Sequence, residues 1–332
     1  MRIGMFTAVQ WSPEENPAAF LKELREQVRA AARECGFASL LVGQHLLTGP
    51  VGMFQPHPLL GGLVEDAAGM QIGPGVLLLG MMNPVLAAEE AATLDWLSDG
   101  NYVLGAGLGY RPEEFHAMGV DQRERVGRLT EGLEVIKRLW TEDRVTHHGR
   151  HFRLDDVQAS VRPKQRPRPP IWLGGSVEPA VRRAARIADA WCIAPTSSAQ
   201  SIVADVEAFC DERRKIGQPD DVACPLIREC FVGRDAAHAR DASRGPLLFK
   251  YQSYASWGEG GSAKRDLSAP FDDFARDRFL IGDVEQVKDG ILRYAEIART
   301  DHILLRMQWP GLEHREVLGS IERLGRIIAG LS

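Results

Sequence analysis

Short apolar runs alternate along this chain with longer stretches whose apolar residues have helical spacing. Residues 3–8 and 38–42 are apolar runs, typical of strands that are covered on both faces. Residues 18–35, between them, place their apolar side chains on one helical face, and Gly36 follows as a helix stop. The first forty residues therefore predict a strand–helix–strand unit.

The same alternation continues to the end of the printed sequence. Further strands are predicted at 75–79, 101–106, 171–173, 190–194, 226–232 and 302–305, and further helices at 84–97, 123–140, 179–187, 201–215, 284–297 and 315–329. About eight strands alternating with about eight helices are typical of a TIM (β/α)8 barrel. A doubly wound sheet is the alternative, but it rarely needs so many consecutive units. We predict a single α/β barrel domain over 1–332.

Three segments interrupt the alternation and are predicted insertions, near 43–72, 141–170 and 234–277. Loops that leave the carboxyl ends of barrel strands build the active site of such folds. The first and third insertions follow strands directly, so we expect them to form its walls.

Composition narrows the classes of function. The chain has 332 residues, 44% of them hydrophobic, and a formal net charge of -5, which excludes a protein that coats nucleic acid. The 5 cysteines form no C-x-x-C pair and predict reduced thiols rather than a disulfide scaffold. The apolar run at 76–82 is too short to span a bilayer, and the first ten residues lack the features of a signal peptide. We expect a cytoplasmic protein.

Candidate chemistry gathers where loops follow strands. His45 comes three residues after the second strand and could exchange protons with a bound substrate, or could be an ordinary loop histidine. Gly107, Gly109 and Tyr110 end a glycine-rich run after the fourth strand, which lets the backbone approach a flat ligand or simply packs strand ends tightly.

A second glycine segment follows the fifth strand. Gly174, Gly175 and Ser176 precede a helix, where backbone N–H groups and the serine hydroxyl suit an anion. Ser176 could equally be the cap of that helix. Three histidines at 147, 148 and 151 look like metal ligands, but adjacent strand residues face opposite ways and no carboxylate cluster accompanies them. We therefore predict a hairpin and no metal site.

Several motifs in this order resemble the bacterial luciferase-like superfamily of flavin-dependent monooxygenases. The resemblance covers nearly the whole chain and rests on Gly36 and Phe37 before the second strand, on His45 after it, and on NPVLAAEE at 83–90, LDWLSDG at 94–100, LGAGLGYRPEEF at 104–115, PPIWLGGS at 169–176 and QWPG at 308–311. It implies a TIM barrel that binds FMN, or the deazaflavin F420, at the carboxyl mouth.

The resemblance also assigns roles to residues. It implies that His45 lies beside the flavin, that Gly174, Gly175 and Ser176 hold its phosphate, and that Gly107, Gly109 and Tyr110 contribute to the cofactor site. The third strand of this family often carries a bulge with an unusual peptide bond behind the ring, for which Gly75 and Val76, or Leu79 and Gly80, are the candidates.

Two positions depart from the luciferases themselves. Gln44 stands where they have an acidic residue, and Leu108 stands in the stretch where they carry a phosphate-binding arginine. Arg111 could replace that arginine from another direction. Light emission is not predicted.

The resemblance implies a monooxygenase in which reduced FMN and O2 oxidise a small lipophilic or aromatic substrate, with His45 exchanging the proton. A separate flavin reductase and a homodimer are expected, and neither nucleic acid nor membrane is expected as a partner. Four aromatic residues are candidates for the substrate pocket, although ordinary packing would also explain them: Phe54, Tyr251, Tyr254 and Trp257. An F420-dependent hydride transfer and a non-catalytic flavin-binding barrel stay open as alternatives.

Overall fold

Eight parallel strands form a closed ring within residues 1–256 and 271–331, the part of the chain that the computed structural model describes. Parallel ladders join most neighbours, and isolated bridges complete the circle between the third and fourth and between the sixth and seventh strands. The predicted TIM barrel is confirmed. The ring strands, β1 to β8, are Arg2–Thr7, Ser39–Val42, Gln71–Pro74, Leu104–Ala106, Ile171–Gly174, Ala190–Cys192, Leu226–Val232 and His302–Arg306.

Helices connect successive strands on the outside of the ring. In the described residues these helices, α1 to α8, are Pro17–Arg33, Pro56–Leu63, Pro84–Leu97, Arg125–Thr141, Glu178–Ile187, Ala199–Lys215, Val284–Ile297 and His314–Leu331. Side chains of Asn16, Asn83, Ser198 and Asp283 cap four of them by accepting N–H groups of the first turn. The sequence predicted seven of these helices; the eighth, Pro56–Leu63, lies inside the 43–72 insertion.

Additional elements decorate the barrel. Short helices Pro112–Ala117 and Phe271–Arg276 and the long helix Ala236–Ser256 lie in the connections after β4 and β7. The segment 234–277, which reads as polar and glycine-rich in the sequence, therefore holds a 21-residue helix. Strand Phe279–Gly282 lies beside β7 and pairs with it in parallel. Two small antiparallel pairs also occur: Gln10–Trp11 with Gly52–Met53, and Val145–His148 with Arg153–Val157.

Apolar side chains fill the inside of the ring and leave room only at its mouth. A compact inner cluster takes residues from strands all around the barrel: Phe6, Leu41, Val103, Trp172, Ala190, Cys192, Ile227 and Leu304. A larger cluster lies between the strands and the helices. Because the interior is packed, a ligand site belongs at the carboxyl ends of the strands.

The third strand lies earlier than the sequence predicted. The prediction was a strand over 75–79, but β3 is Gln71–Pro74, and the next peptide bond, Gly75-Val76, is cis. Leu77 then bridges Ala106, and Leu79–Met81 forms a 3-10 turn. The apolar run misled the prediction because Leu77, Leu78 and Leu79 are buried at the barrel mouth rather than within a strand.

A buried histidine lies at the amino end of the barrel. Nε2 of His302, the first residue of β8, is 2.8 Å from Oγ of Ser39, the first residue of β2. Burial lowers the pKa of His302 to about 4, and the nearby charge of Arg2 adds to this effect. His302 is therefore neutral in the folded protein at pH 7.

We expect His302 to make the protein less stable in mild acid. Its folded pKa is below the ordinary value of 6.5, so the unfolded chain takes up this proton first. The contribution of neutral His302 to the free energy of unfolding is complete above pH 6.5 and is lost as the pH falls toward 4. The loss is about 2 kcal/mol between pH 8 and pH 5. Urea unfolding of wild type and His302→Gln at both values checks this. An equal difference between the two proteins at both pH values contradicts it.

Candidate functional site at the barrel mouth

A cavity of about 510 Å³ opens at the carboxyl ends of the strands. Most residues singled out from the sequence line it: His45, Gly75, Val76, Gly107, Gly109, Tyr110, Gly174, Gly175, Ser176, Tyr251 and Tyr254. The loops after β2, β3, β4, β5 and β6 and the helix Ala236–Ser256 all contribute to the wall. The structure thus brings together segments that are far apart along the chain, from Phe6 to Arg306.

One of the four aromatic pocket candidates, Phe54, is not among the described residues that line this cavity. Phe54 packs against Trp11, with ring centroids 4.5 Å apart, and lies 6.3 Å from the ring of Phe20. It contributes to the covering of the first barrel unit, outside the cavity wall. Trp257 lies outside the described residues.

Glycines after three strands surround Val76. A Cβ atom on Gly107 would lie 2.5 Å from Cγ2 of Val76, and a Cβ on Gly174 would lie 3.2 Å from its Cγ1. Gly109 has a φ of +77°, a conformation that favours glycine. Gly107 and Gly174 therefore let the backbone at the ends of β4 and β5 approach one apolar side chain that lines the cavity. The cis bond lies at Gly75-Val76, the first of the two positions that the sequence left open.

A buried glutamate orients His45. Nδ1 of His45 is 3.1 Å from Oε1 of Glu114, whose side chain is fully buried. The same oxygen accepts the backbone N–H of Leu46 at 2.7 Å. Since a carboxylate only accepts, Nδ1 carries the proton, which leaves Nε2 as the basic nitrogen. That nitrogen is 3.4 Å from the hydroxyl of Tyr110, at the cavity wall.

Sequence reasoning missed Glu114, although it belongs to the motif at 104–115. The short helix Pro112–Ala117 turns Glu114 and Phe115 inward and leaves Glu113 exposed. The sequence did not distinguish Glu113 from Glu114.

Arg111 does not face the cavity. It is 5% exposed, and its guanidinium donates to the carbonyl oxygens of Leu46 and Leu47 at 2.5 and 3.3 Å. It also lies 3.5 Å from Glu114. Arg111 therefore holds the loop that carries His45, rather than replacing a phosphate-binding arginine.

Gln44 connects this loop to the segment after the cis bond. Its side-chain oxygen accepts the backbone N–H of Leu78 at 2.7 Å, and its amide donates to Gln55 at 3.1 Å. Gln55 in turn donates to the carbonyl of His45 at 3.0 Å. The amide, which both donates and accepts, makes connections that an acidic residue at this position could not make.

A charged cluster lies behind another part of the wall, to which it contributes Lys250, Tyr251 and Arg306. Glu229 on β7 is completely buried and accepts from Lys250, from the hydroxyl of Tyr251 at 3.1 Å and from the indole of Trp309 at 2.6 Å. Arg306, at the end of β8, lies 3.4 Å from the same carboxylate. Burial alone would raise the pKa of Glu229, but the charges of Arg306 and Lys250 lower it overall.

Arg228 fixes the loop after β6. It is fully buried, and its guanidinium donates to the carbonyls of Ala194 at 3.2 Å and Ser197 at 3.1 Å. Burial lowers its pKa to about 10, so it stays charged at pH 7. The loop that it holds contributes Ala194, Pro195 and Thr196 to the cavity wall.

The glycine segment 174–176 lies at the cavity wall, at the carboxyl end of β5 and before α5. Val177, not Ser176, is the N-cap of α5, and no side chain caps that helix. The capping role that the sequence left open for Ser176 is therefore wrong. Arg125 also lines the cavity, and its charge contributes, after burial and Arg186, to a lowered pKa of Arg183. This end of the cavity suits a phosphate.

The histidine-bearing hairpin lies away from this mouth. Nε2 of His147 is 3.1 Å from Glu131, and Nε2 of His148 is 2.5 Å from Asp155. Across residues 1–256 and 271–331, no group of three or more His, Cys, Asp or Glu side chains has the arrangement of a metal site. In the same residues, no helix combines the length and apolar character needed to cross a bilayer.

Comparison with known proteins gives one matching family and relatives that are named for two different cofactors. The family described as luciferase-like monooxygenase matches residues 1–301. An FMNH2-dependent dimethylsulfone monooxygenase of Pseudomonas putida is 29% identical over 191 residues, covering 57% of this chain and 52% of that protein. An F420-dependent glucose-6-phosphate dehydrogenase of Nakamurella multipartita is 33% identical over 186 residues, covering 53% of this chain and 52% of that protein.

Solved structures share the whole fold. The crystal structure of the monooxygenase RslO1 from Streptomyces bottropensis matches with a TM-score of 0.87 at 20% identity, covering 100% of this chain and 99% of that one. The sequence matches are shorter: they span 61% and 52% of the length of two curated relatives.

Proposed function

This chain belongs to the luciferase-like monooxygenase family, whose members among its relatives are oxidoreductases, and from that premise we propose that it uses reduced FMN and O2 to oxidise a small organic substrate in the barrel-mouth cavity. The observation that carries the proposal is that one cavity is lined both by Gly175 and Ser176, which suit a phosphate, and by His45, which Glu114 orients. The FMNH2-dependent relative supports this cofactor.

The residues of the cavity fit such a cofactor. Its phosphate would be held by the backbone of Gly174, Gly175 and Ser176 together with the guanidinium of Arg125. The glycine-lined surface around Val76 offers a flat apolar contact to the ring system. When bound, reduced FMN supplies the two electrons that activate O2.

The protein's own contribution is proton transfer and exclusion of water. Nε2 of His45 is basic because Glu114 holds the proton on Nδ1, so His45 can take a proton from a reacting group and return it. The negative charge of Glu114 stabilises the imidazolium that forms. Tyr110 and Tyr254, with ring centroids 5.3 and 6.0 Å from that of His45, shield it from solvent.

An F420-dependent hydride transfer is the second candidate, because a relative of 33% identity uses that cofactor. The same histidine would then serve substrate protonation or deprotonation, without O2. A non-catalytic flavin-binding barrel is the alternative of another class. For the monooxygenase we further propose a separate reductase as the source of reduced flavin, and a homodimer.

Substitutions at the phosphate end test the proposal. We expect Ser176→Ala to weaken binding of reduced FMN by about tenfold and Arg125→Gln by about ten- to a hundredfold, through lost hydrogen bonds to a charged group. Anaerobic fluorescence titration measures both. The exposed Arg123→Gln is the matched control, with unchanged affinity. Wild-type affinity for reduced FMN in both cavity variants would contradict the assignment of its phosphate to this end of the cavity.

A further inference from the structure

A second cavity, of about 390 Å³, lies at the amino end of the barrel, on the side opposite the mouth. Its walls are the second half of α6, the loop that leads into β7 and the residues directly after α7. No described residue lines both this amino-end cavity and the mouth cavity. A molecule held in the amino-end cavity would therefore be distinct from anything bound beside His45.

The loop that forms one wall is fixed by side chains of α6. The guanidinium of Arg213 donates to the carbonyl oxygen of Pro219 at 2.6 Å. Arg214 donates to the carboxylate of Asp220, also at 2.6 Å, and the thiol of Cys210 donates to the carbonyl oxygen of Asp220 at 3.3 Å. Contacts within the protein thus shape the cavity in advance, which reduces the cost of ordering a bound molecule.

The deep part of the cavity is uncharged. Its residues are at most 8% exposed: Val206, Phe209, Cys210, Cys224 and Ala298. Burial raises the pKa of both thiols, that of Cys224 to about 12, so both are protonated at pH 7. An ion that moved into these surroundings would lose its hydration without compensation. The deep part of the cavity therefore favours a neutral molecule.

The charged residues of the described lining do not change this preference. The carboxylate of Asp220 is paired with Arg214, at 2.6 Å. Asp221 and Arg299 are exposed and opposite in sign. These residues therefore give the rim of the cavity no excess charge that would select an ion.

The wall suits an aromatic ring. Phe209 is 1% exposed, and its ring lies against that of Trp191, with centroids 6.5 Å apart and an interplanar angle of 27°. Sulfur atoms and aromatic rings both make favourable contacts with a further aromatic ring. The volume lies within the range of about 300 to 1,000 Å³ that is typical of small-molecule sites. One small ring system would therefore contact Phe209 and the two thiols together.

We propose that the amino-end cavity is a binding site for a small neutral aromatic molecule. The inference goes beyond the proposed function, because it depends on neither the flavin nor O2. It commits to a ligand of one or two rings without formal charge, whose ring lies among Val206, Phe209 and Val222.

Three probes that share one ring test the charge and the place of the ligand: neutral benzyl alcohol, anionic benzoate and cationic benzylammonium. Titration of the full chain, with ¹³C-labelled valine methyl groups at pH 7, is followed by NMR. Val206 and Val222 report on the amino-end cavity, and Val76 reports on the mouth. We expect benzyl alcohol to shift the Val206 and Val222 signals saturably and to bind at least about tenfold more tightly there than either ion.

Two variants of α6 test the position of the site. Val206→Phe places a ring in the cavity and should weaken the binding of benzyl alcohol at least about tenfold, measured at Val222. Val203→Phe is the matched control, because Val203 is 44% exposed on the same helix, and it should keep the wild-type affinity. The wild-type titration decides the question even where Val206→Phe does not fold.

Several results would overturn the inference. Benzyl alcohol could shift the signal of Val76 alone, which would place it at the mouth, or could give no saturable shift at all. Equal affinity for the three probes at Val206 and Val222 would contradict a neutral site. A folded Val206→Phe protein that binds benzyl alcohol as tightly as wild type would contradict the location.

Discussion

Replacing Glu114 with glutamine is expected to lower kcat for the flavin-dependent reaction by about a hundredfold and to leave the affinity for reduced FMN nearly unchanged. Glutamine keeps the shape of the side chain but loses the negative charge that holds the proton on Nδ1 of His45 and stabilises its cation. Glu114 is a positioning residue that acts through His45. Steady-state kinetics and anaerobic titration of the same preparation measure the two quantities.

Two controls separate positioning from folding. Glu113→Gln changes the exposed neighbour on the same short helix and should leave kcat unchanged. In a His45→Ala background, Glu114→Gln should have almost no further effect, because residues that act as a unit are not additive. Equal, additive losses in the single and double variants would contradict the role of Glu114.

Gly105→Ala is expected to destabilise the protein by about 3 kcal/mol or more. A Cβ on Gly105 would lie 2.1 Å from the carbonyl oxygen of Pro74, where β3 and β4 close the barrel. The clash is with backbone, so no side-chain rotation relieves it, and a strand pairing must shift. The midpoint of thermal unfolding should fall by roughly 5 °C or more.

Gly62→Ala is the matched control for this change. Gly62 lies in α2, and a Cβ there would meet nothing within 4 Å. Alanine in an exposed helical position is more favourable than glycine by up to about 1 kcal/mol. The two Gly→Ala variants should therefore move the unfolding midpoint in opposite directions. A Gly105→Ala protein as stable as wild type contradicts the close approach of β3 and β4.

The barrel itself was predictable because hydrophobic spacing acts locally. Strands such as Ile171–Gly174 are apolar throughout, and helices such as Val284–Ile297 show one apolar face. The misplaced third strand shows the limit of this signal. Both a buried strand and a buried turn at the barrel mouth need apolar residues, so the run at 76–82 did not distinguish them.

The placement of candidate residues at the cavity was predictable where position along a strand carries the information, as for His45 and the glycines after β4 and β5. Partners across the fold were not, because nothing local connects Glu114 with His45. Glu229 did carry a signal: an ionisable residue inside an apolar strand needs a buried partner. Arg306, directly after the apolar run 302–305, also lies where barrel strands present catalytic and binding residues.

Anaerobic titration of the protein with reduced FMN and, separately, with reduced F420, followed by admission of O2, tests the central claim most directly. The account predicts saturable binding of reduced FMN, weaker binding of F420, and consumption of O2 by the protein–FMN complex at a rate that differs from that of free reduced FMN. A preference for F420 with no reaction of the complex with O2 would contradict it, and would favour hydride transfer in the same cavity.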